Sequence, residues 1–133
     1  MSRIPDRLNI DKNDRNLYEK IEMDDFFKGK TRKEQFLLAM AIGFRNNIKR
    51  PLSTKDGFFL TKDLKAEDSA LIMSIALSNT DNVDILADKE EIFRIAEEYA
   101  HAGIKLLNDK IESTSFGNFW KHFEKDLHEL YDE

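Results

Sequence analysis

The chain has 133 residues, of which 41% are apolar and 35% charged, with two Pro and five Gly; that balance excludes disordered and fibrous classes and is enough for one domain with a real core. It contains no Cys, which removes disulfides, a thiolate nucleophile and Cys-ligated zinc. The net charge of −5 divides unevenly: residues 1–65 hold 15 Lys+Arg against 10 Asp+Glu (+5), and residues 66–133 hold 6 against 16 (−10), a split that points to oriented association unless folding interleaves the halves.

The first residues, MSRIPDRLNIDKND, are polar and lack an apolar core segment, so no secretory signal is expected and the protein is read as cytoplasmic. Pro5 disfavours a helix, and residues 1–12 are expected to form a flexible segment ahead of a single helical domain over 13–131. Asn13 or Asp14 is placed to cap a short helix reaching about Met23, with Leu17 and Ile21 four apart on one face. Gly29 then breaks the chain before Thr31.

Thr31 to Arg45, TRKEQFLLAMAIGFR, is the stretch around which the rest is expected to pack. Thr31 with Glu34 makes a capping box. Phe36 to Phe44 is apolar without a break, which covers every face of a helix and requires protein all round it. Nine residues fall far short of the ~20 needed to cross a bilayer, so no membrane partner is expected. Ala39 and Gly43 lie four apart, and small residues there let another backbone come close. Asn46, Asn47 and Pro51 end the helix.

Gly57 to Thr61 (GFFLT) is the one segment with strand character, although it lacks clean alternation. A largely buried helix is expected over 66–78, followed by a turn-rich run over 79–82. Asp88 with Glu91 opens the longest helix. Its apolar face is Ile92, Ile95, Ala96, Tyr99, Gly103, Leu106 and Leu107, and Glu90, Arg94, Glu97, Glu98, His101, Lys105 and Asp109 are assigned to a polar face, with Glu90 and Arg94 able to pair. Ser115 is placed to cap a last helix to about Tyr131, with Phe116, Phe119, Trp120, Phe123, Leu127 and Leu130 as its stripe. The expectation is an all-α (mainly α) protein, a compact irregular bundle of about five helices, with one short strand or hairpin near 57–61.

No catalytic, cofactor or metal site emerges. Gly29-Lys30-Thr31 lacks the earlier glycine of a phosphate-binding loop, because Asp24 stands there. Asn9, Asp11 and Asn13 alternate like calcium ligands but lack the glycine and the closing glutamate, which makes them turn and capping residues. Asp81 to Asp84 lacks the glycine too. His122 and His128 are six apart, and His101 reads as a solvated surface residue. Adjacent carboxylates on a helix diverge by about 100° and do not form an acid/base pair. The candidate anion or nucleic-acid contacts are Lys28, Lys30, Arg32 and Lys33 at the start of the central helix and Arg45, Lys49 and Arg50 at its end, about 20 Å apart at 1.5 Å per residue. Their ordinary role is a solvated face and a helix-dipole counter-charge.

Three segments in order, Leu17-Tyr18-Glu19, Arg32 to Asn47 and Ile95 to Leu107, resemble a small accessory protein family associated with prokaryotic DNA-phosphorothioation (Dnd) gene clusters. The middle segment is similar to that family's apolar helix with its Gly-aromatic-basic end, and the last to its Glu-Tyr-Ala-x-x-Gly-Ile helix. The resemblance implies a role near DNA modification or defence and carries over no catalytic residues. The expected function is a non-enzymatic helical interaction protein that docks on a protein partner or on itself. The alternatives are a nucleic-acid-binding protein using the basic first half, which would show salt-dependent affinity, and a metal-dependent hydrolase or nuclease built on unrecognised carboxylates.

Overall fold

The structure, a computed structural model, describes residues 4–24 and 27–113 together with 124, 125 and 127. In chain order the elements are β1 (Arg7–Asp11), α1 (Arg15–Glu22), α2 (Arg32–Arg45), β2 (Lys55–Leu60), α3 (Ala66–Thr80) and α4 (Lys89–Ser113), with short 3₁₀ turns before α1, after β2 and over Val83–Ala87. Four α-helices are described where about five are expected. Of the last expected helix, Glu124, Lys125 and Leu127 are helical, and the rest of 115–131 lies outside the described residues. The protein is mainly helical, with a two-stranded antiparallel sheet of β1 and β2.

The α2 N-terminus forms as its sequence dictates. Thr31 Oγ1 accepts from Glu34 N at 3.1 Å and Glu34 Oε1 accepts from Thr31 N at 2.9 Å, the reciprocal capping box. At the other end Asn46 Nδ2 donates to Ile42 O at 2.8 Å, and Asn47 turns into the left-handed region at φ 56°.

The α2 helix packs along α4, and the two form the spine. Buried residues of α2 (Phe36, Ala39, Met40, Ile42) meet those of α4 (Ile92, Ile95, Ala96, Tyr99, Ala100, Ile104, Leu107) in one core. The backbones touch at two glycines. A Cβ on Gly43 would lie 2.1 Å from Tyr99 O, and one on Gly103 would lie 1.7 Å from Ala39 O. Gly costs about 1 kcal/mol relative to Ala in a helix, and here that cost is offset by the close packing it permits.

Two expectations need correction, and a third, the strand near 57–61, is present as β2. Residues 7–11, read as part of a loose segment, form β1, whose Leu8 and Ile10 are buried in the core. The missing alternation of GFFLT has a cause: Leu8 pairs with Phe59 and Asn9 with Gly57, which leaves Phe58 as an extra residue in β2. This bulge lets both Phe58 and Phe59 turn inward. Finally, α3 is covered along one face by Ile72, Ile75 and Ala76, while Ala70, Ser74 and Ser78 are exposed. It lies on the outside of the spine and is not buried all round.

Candidate functional site

The basic residues expected at the start of α2 are largely engaged by the fold. The Arg32 guanidinium sits over the Phe58 ring at 5.2 Å, with Arg15 at 5.8 Å. Arg32 Nη1 also donates to Phe58 O at 3.3 Å. Lys33 Nζ is 2.9 Å from Asp68 Oδ2 and 3.4 Å from Asp63 O, and the Asp68 contact raises the Lys33 pKa. Lys28 is exposed on a turn and Lys30 is half-buried. Arg32 and Lys33 line a cleft of about 830 Å³ with Lys65, but Glu34, Asp63, Glu67 and Asp68 line it too. Its charge is mixed, so the cleft lacks the positive field an anion needs.

At the far end Arg45, Lys49 and Arg50 are exposed. The chain there runs against α4: Arg50 N donates to Glu98 O at 3.1 Å, and Lys49 is one of the cations that lower the Glu91 pKa, after the larger effect of Arg94. The structure therefore does not bring the two basic clusters together, and it sets part of the second against the acidic half of the chain.

The titratable groups that the fold does bring together lie elsewhere. Asp11, the last residue of β1 and the cap of the following 3₁₀ turn, and Asp14, the last residue of that turn, are buried and meet His101 from the middle of α4. His101 Nδ1 and Asp14 Oδ2 share a hydrogen bond at 2.5 Å, and His101 Nε2 is 3.8 Å from Asp11 Oδ2. His101 is thus a half-buried cross-link and not the solvated residue its neighbours Glu97, Glu98 and Lys105 suggest. Because its carboxylate is turned to His101, Asp14 makes no side-chain cap on α1. Asp11 accepts from Asn13 N at 2.9 Å, Ser53 N at 2.7 Å and Ser53 Oγ at 2.9 Å. Burial pushes the Asp11 carboxyl up, but these donors and His101 outweigh it and hold the group well below the usual range. Burial wins at Asp14, whose carboxyl is raised despite His101.

This arrangement of serine, histidine and aspartate is not a nucleophilic triad. The Ser53 hydroxyl donates to Asp11, whereas a triad needs it to donate to the imidazole. Tyr18 is buried beneath, its ring 4.6 Å from that of Phe58 and its hydroxyl without a partner among the described residues. Burial first, and then the nearby Asp14, raise its pKa.

A third buried carboxylate is Glu97, whose position in the sequence predicts the polar face of α4. Its Oε2 accepts from Asn9 N at 2.7 Å and Asn9 Nδ2 at 2.9 Å, tying β1 to α4, and burial raises its pKa. Glu97 lies in a cleft of about 440 Å³ with Asn9, Lys55, Asp88, Glu90, Glu91, Phe93 and Arg94. Arg94 pairs with Glu91 and Glu98 instead of Glu90. Asp88 caps α4 through Glu91 N at 3.1 Å, but the Glu91 carboxylate goes to Arg94.

Among the described residues no group of three His, Asp or Glu side chains is placed to hold a metal ion, and no helix is long and apolar enough to cross a membrane. Period and charge could not have marked Asp11, Asp14, Glu97 and His101 as buried. The available signal was indirect: α4 is crossed on several sides, so its polar face could not all be solvated.

Residues 7–118 match the family described as DNA sulphur modification system-associated protein 4, the kind of family that the three segments of sequence resemble. No curated protein and no solved structure matches the chain.

Proposed function

The chain belongs to the DNA sulphur modification system-associated protein 4 family, and on that premise we propose that it is a non-enzymatic accessory component of such a system, acting in the cytoplasm by binding a protein partner. One observation carries the reading: the buried carboxylates Asp11, Asp14 and Glu97 are spent on cross-links within the fold. Asp14 is held by His101, Asp11 by Ser53 and Asn13, and Glu97 by Asn9. A catalytic acid or base needs the same perturbed pKa but a carboxylate free to meet substrate; Asp11 and Asp14 face His101 across packed elements, and Glu97, which reaches the 440 Å³ cleft, is taken up by both Asn9 donors. A role in direct nucleic-acid binding would rest on Arg45, Lys49 and Arg50, which are exposed at the far end of α2.

Size-exclusion chromatography with light scattering, run on the purified chain mixed in turn with each protein of the modification system from the same host, tests the proposal. The expected result is co-elution with at least one of them. A chain that stays alone with every one of them overturns the accessory reading, and a gel shift of duplex DNA at about 50 mM salt would favour nucleic-acid binding in its place.

A further inference from the structure

Four large apolar side chains are exposed among the described residues: Ile4, Met23, Val83 and Leu86. Two of them share the 3₁₀ turn Val83–Ala87 that joins α3 to α4. Side chains three apart eclipse in a 3₁₀ helix, so Val83 and Leu86, 68% and 38% exposed, form one ridge. The turn is a fixed shape. Asn82 Oδ1 accepts from Asp84 N at 3.0 Å, Asn82 O from Ile85 N at 3.1 Å, and Ile85 O from Asp88 N at 2.9 Å. Ile85 packs against the core and anchors it.

Exposed carboxylates flank the ridge along the chain, Asp81 and Asp84 at the turn and Asp88 and Glu90 just after it, with that of Asp88 also capping α4. The cation within this run, Lys89, directs its Nζ to Met73 Sδ at 3.4 Å. The rim continues into the 440 Å³ cleft through Asp88, Glu90 and Glu91, with Glu97 and Phe93 beyond. In that cleft Arg94 is already held by Glu91 and Glu98.

We propose that the Val83–Leu86 ridge with its carboxylate rim is the surface on which a protein partner docks, and that the partner presents an apolar recess ringed by lysine or arginine. The proposal rests on the accessory reading above and locates its interface. Charge selects the occupant. Nucleic acid or an anionic bilayer would bring like charge against four carboxylates. A second copy of the chain in a two-fold contact would set the rim against itself. A cationic rim on a protein is attracted, and such complementarity speeds association and fixes register.

The test is fluorescence anisotropy with the labelled full chain, titrated in turn with each purified protein of the modification system from the same host. Leu86→Asp removes half the ridge, D84K/E90K reverses part of the rim, and R45E/K49E is the control on the other charged end. All five positions are exposed, and thermal melts confirm that each variant folds. The expected result is one complex that weakens about tenfold or more in Leu86→Asp and in D84K/E90K, loses salt dependence in the latter, and is unchanged in R45E/K49E. A complex that Leu86→Asp and D84K/E90K leave intact overturns this surface while the accessory role stands. No complex with any protein of the system overturns both. Self-association lost in Leu86→Asp, or duplex DNA binding by the wild-type chain, in place of a protein complex, overturns the choice of partner.

Discussion

Gly103 of α4 lies so close to Ala39 of α2 that a Cβ on it would stand 1.7 Å from the Ala39 carbonyl oxygen and 2.8 Å from Gly43 N. Gly43 repeats the relationship in reverse against Tyr99. The obstacle in both cases is backbone of a facing helix, which cannot swing aside as a side chain can. Gly103→Ala and Gly43→Ala should each lower the unfolding free energy by about 3 kcal/mol or more, even though Ala is intrinsically the better helix former by about 1 kcal/mol. Gly43→Leu should prevent folding. Urea denaturation reads the sign directly, and an alanine variant melting within about a degree of the wild type would show that the helices can part without cost.

The α2 helix was readable from its cap, its apolar run and its small residues, because each is a local signal that the fold obeys. The approach at Ala39 and Gly43 was readable for the same reason, although its partner helix was not. The β1 strand was missed because Leu8 and Ile10 alternate over too few residues to register beside Pro5. The inward turn of both Phe58 and Phe59 depends on a bulge, a property of the strand pair and not of either strand. The burial of Glu97 and His101 depends on Asn9 and Asp14, which are 88 and 87 residues away in the chain, a separation at which periodicity carries no information. The basic residues at the α2 start were correctly placed at one end of a helix, but their engagement by Phe58 and Asp68 could be seen only in three dimensions.

Asp14 and His101 should behave as a unit. Removing the imidazole leaves a buried carboxylate without its main partner, so His101→Ala should cost about 3 kcal/mol. Asp14→Ala should cost less, because the His101 ring is slightly more exposed and Asp11 remains near it. A double-mutant cycle by chemical denaturation should return a coupling of about 1–3 kcal/mol. Strict additivity would mean that the contact contributes nothing.

Asp11 predicts an acid limb. Its carboxyl is depressed in the fold, so the stabilisation it provides is fully present above the unfolded value of 3.8 and is lost as pH falls through that value toward the folded one. Ser53→Ala removes the hydroxyl donor and should cost about 1 kcal/mol at neutral pH. It should also reduce the loss of stability on acidification, because less of the depression remains to be lost. Thermal melts across the acid range would reveal an unchanged slope if Ser53 were a bystander.

Glu97 has the opposite sign. Its carboxyl is raised by burial above 4.5, so the folded state holds its proton more tightly than the unfolded chain and stability declines as pH rises through the folded value. Glu97→Gln keeps an acceptor for both Asn9 donors and removes the charge. It should be at least as stable as wild type near neutrality, and its advantage should shrink as the pH approaches 4.5 from above. A Glu97→Gln protein that is the less stable of the two near neutrality would show that the ionised form is the favoured one.

The pins on the first strand have a consequence for how the molecule is made. Asn9 and Asp14 emerge early from the ribosome, but Glu97 and His101 follow some 90 residues later. Until α4 exists, β1 can pair with β2 and Asp11 can find Ser53, yet Asp14 lacks its imidazole and the spine lacks a helix. Burying the turn before then would strand a charged group, so early docking of the first strand is disfavoured and closure waits for the late helix. The contacts that pin β1 and its following turn to α4 therefore form only after α4 has been made, whatever pairing β1 finds with β2 before then.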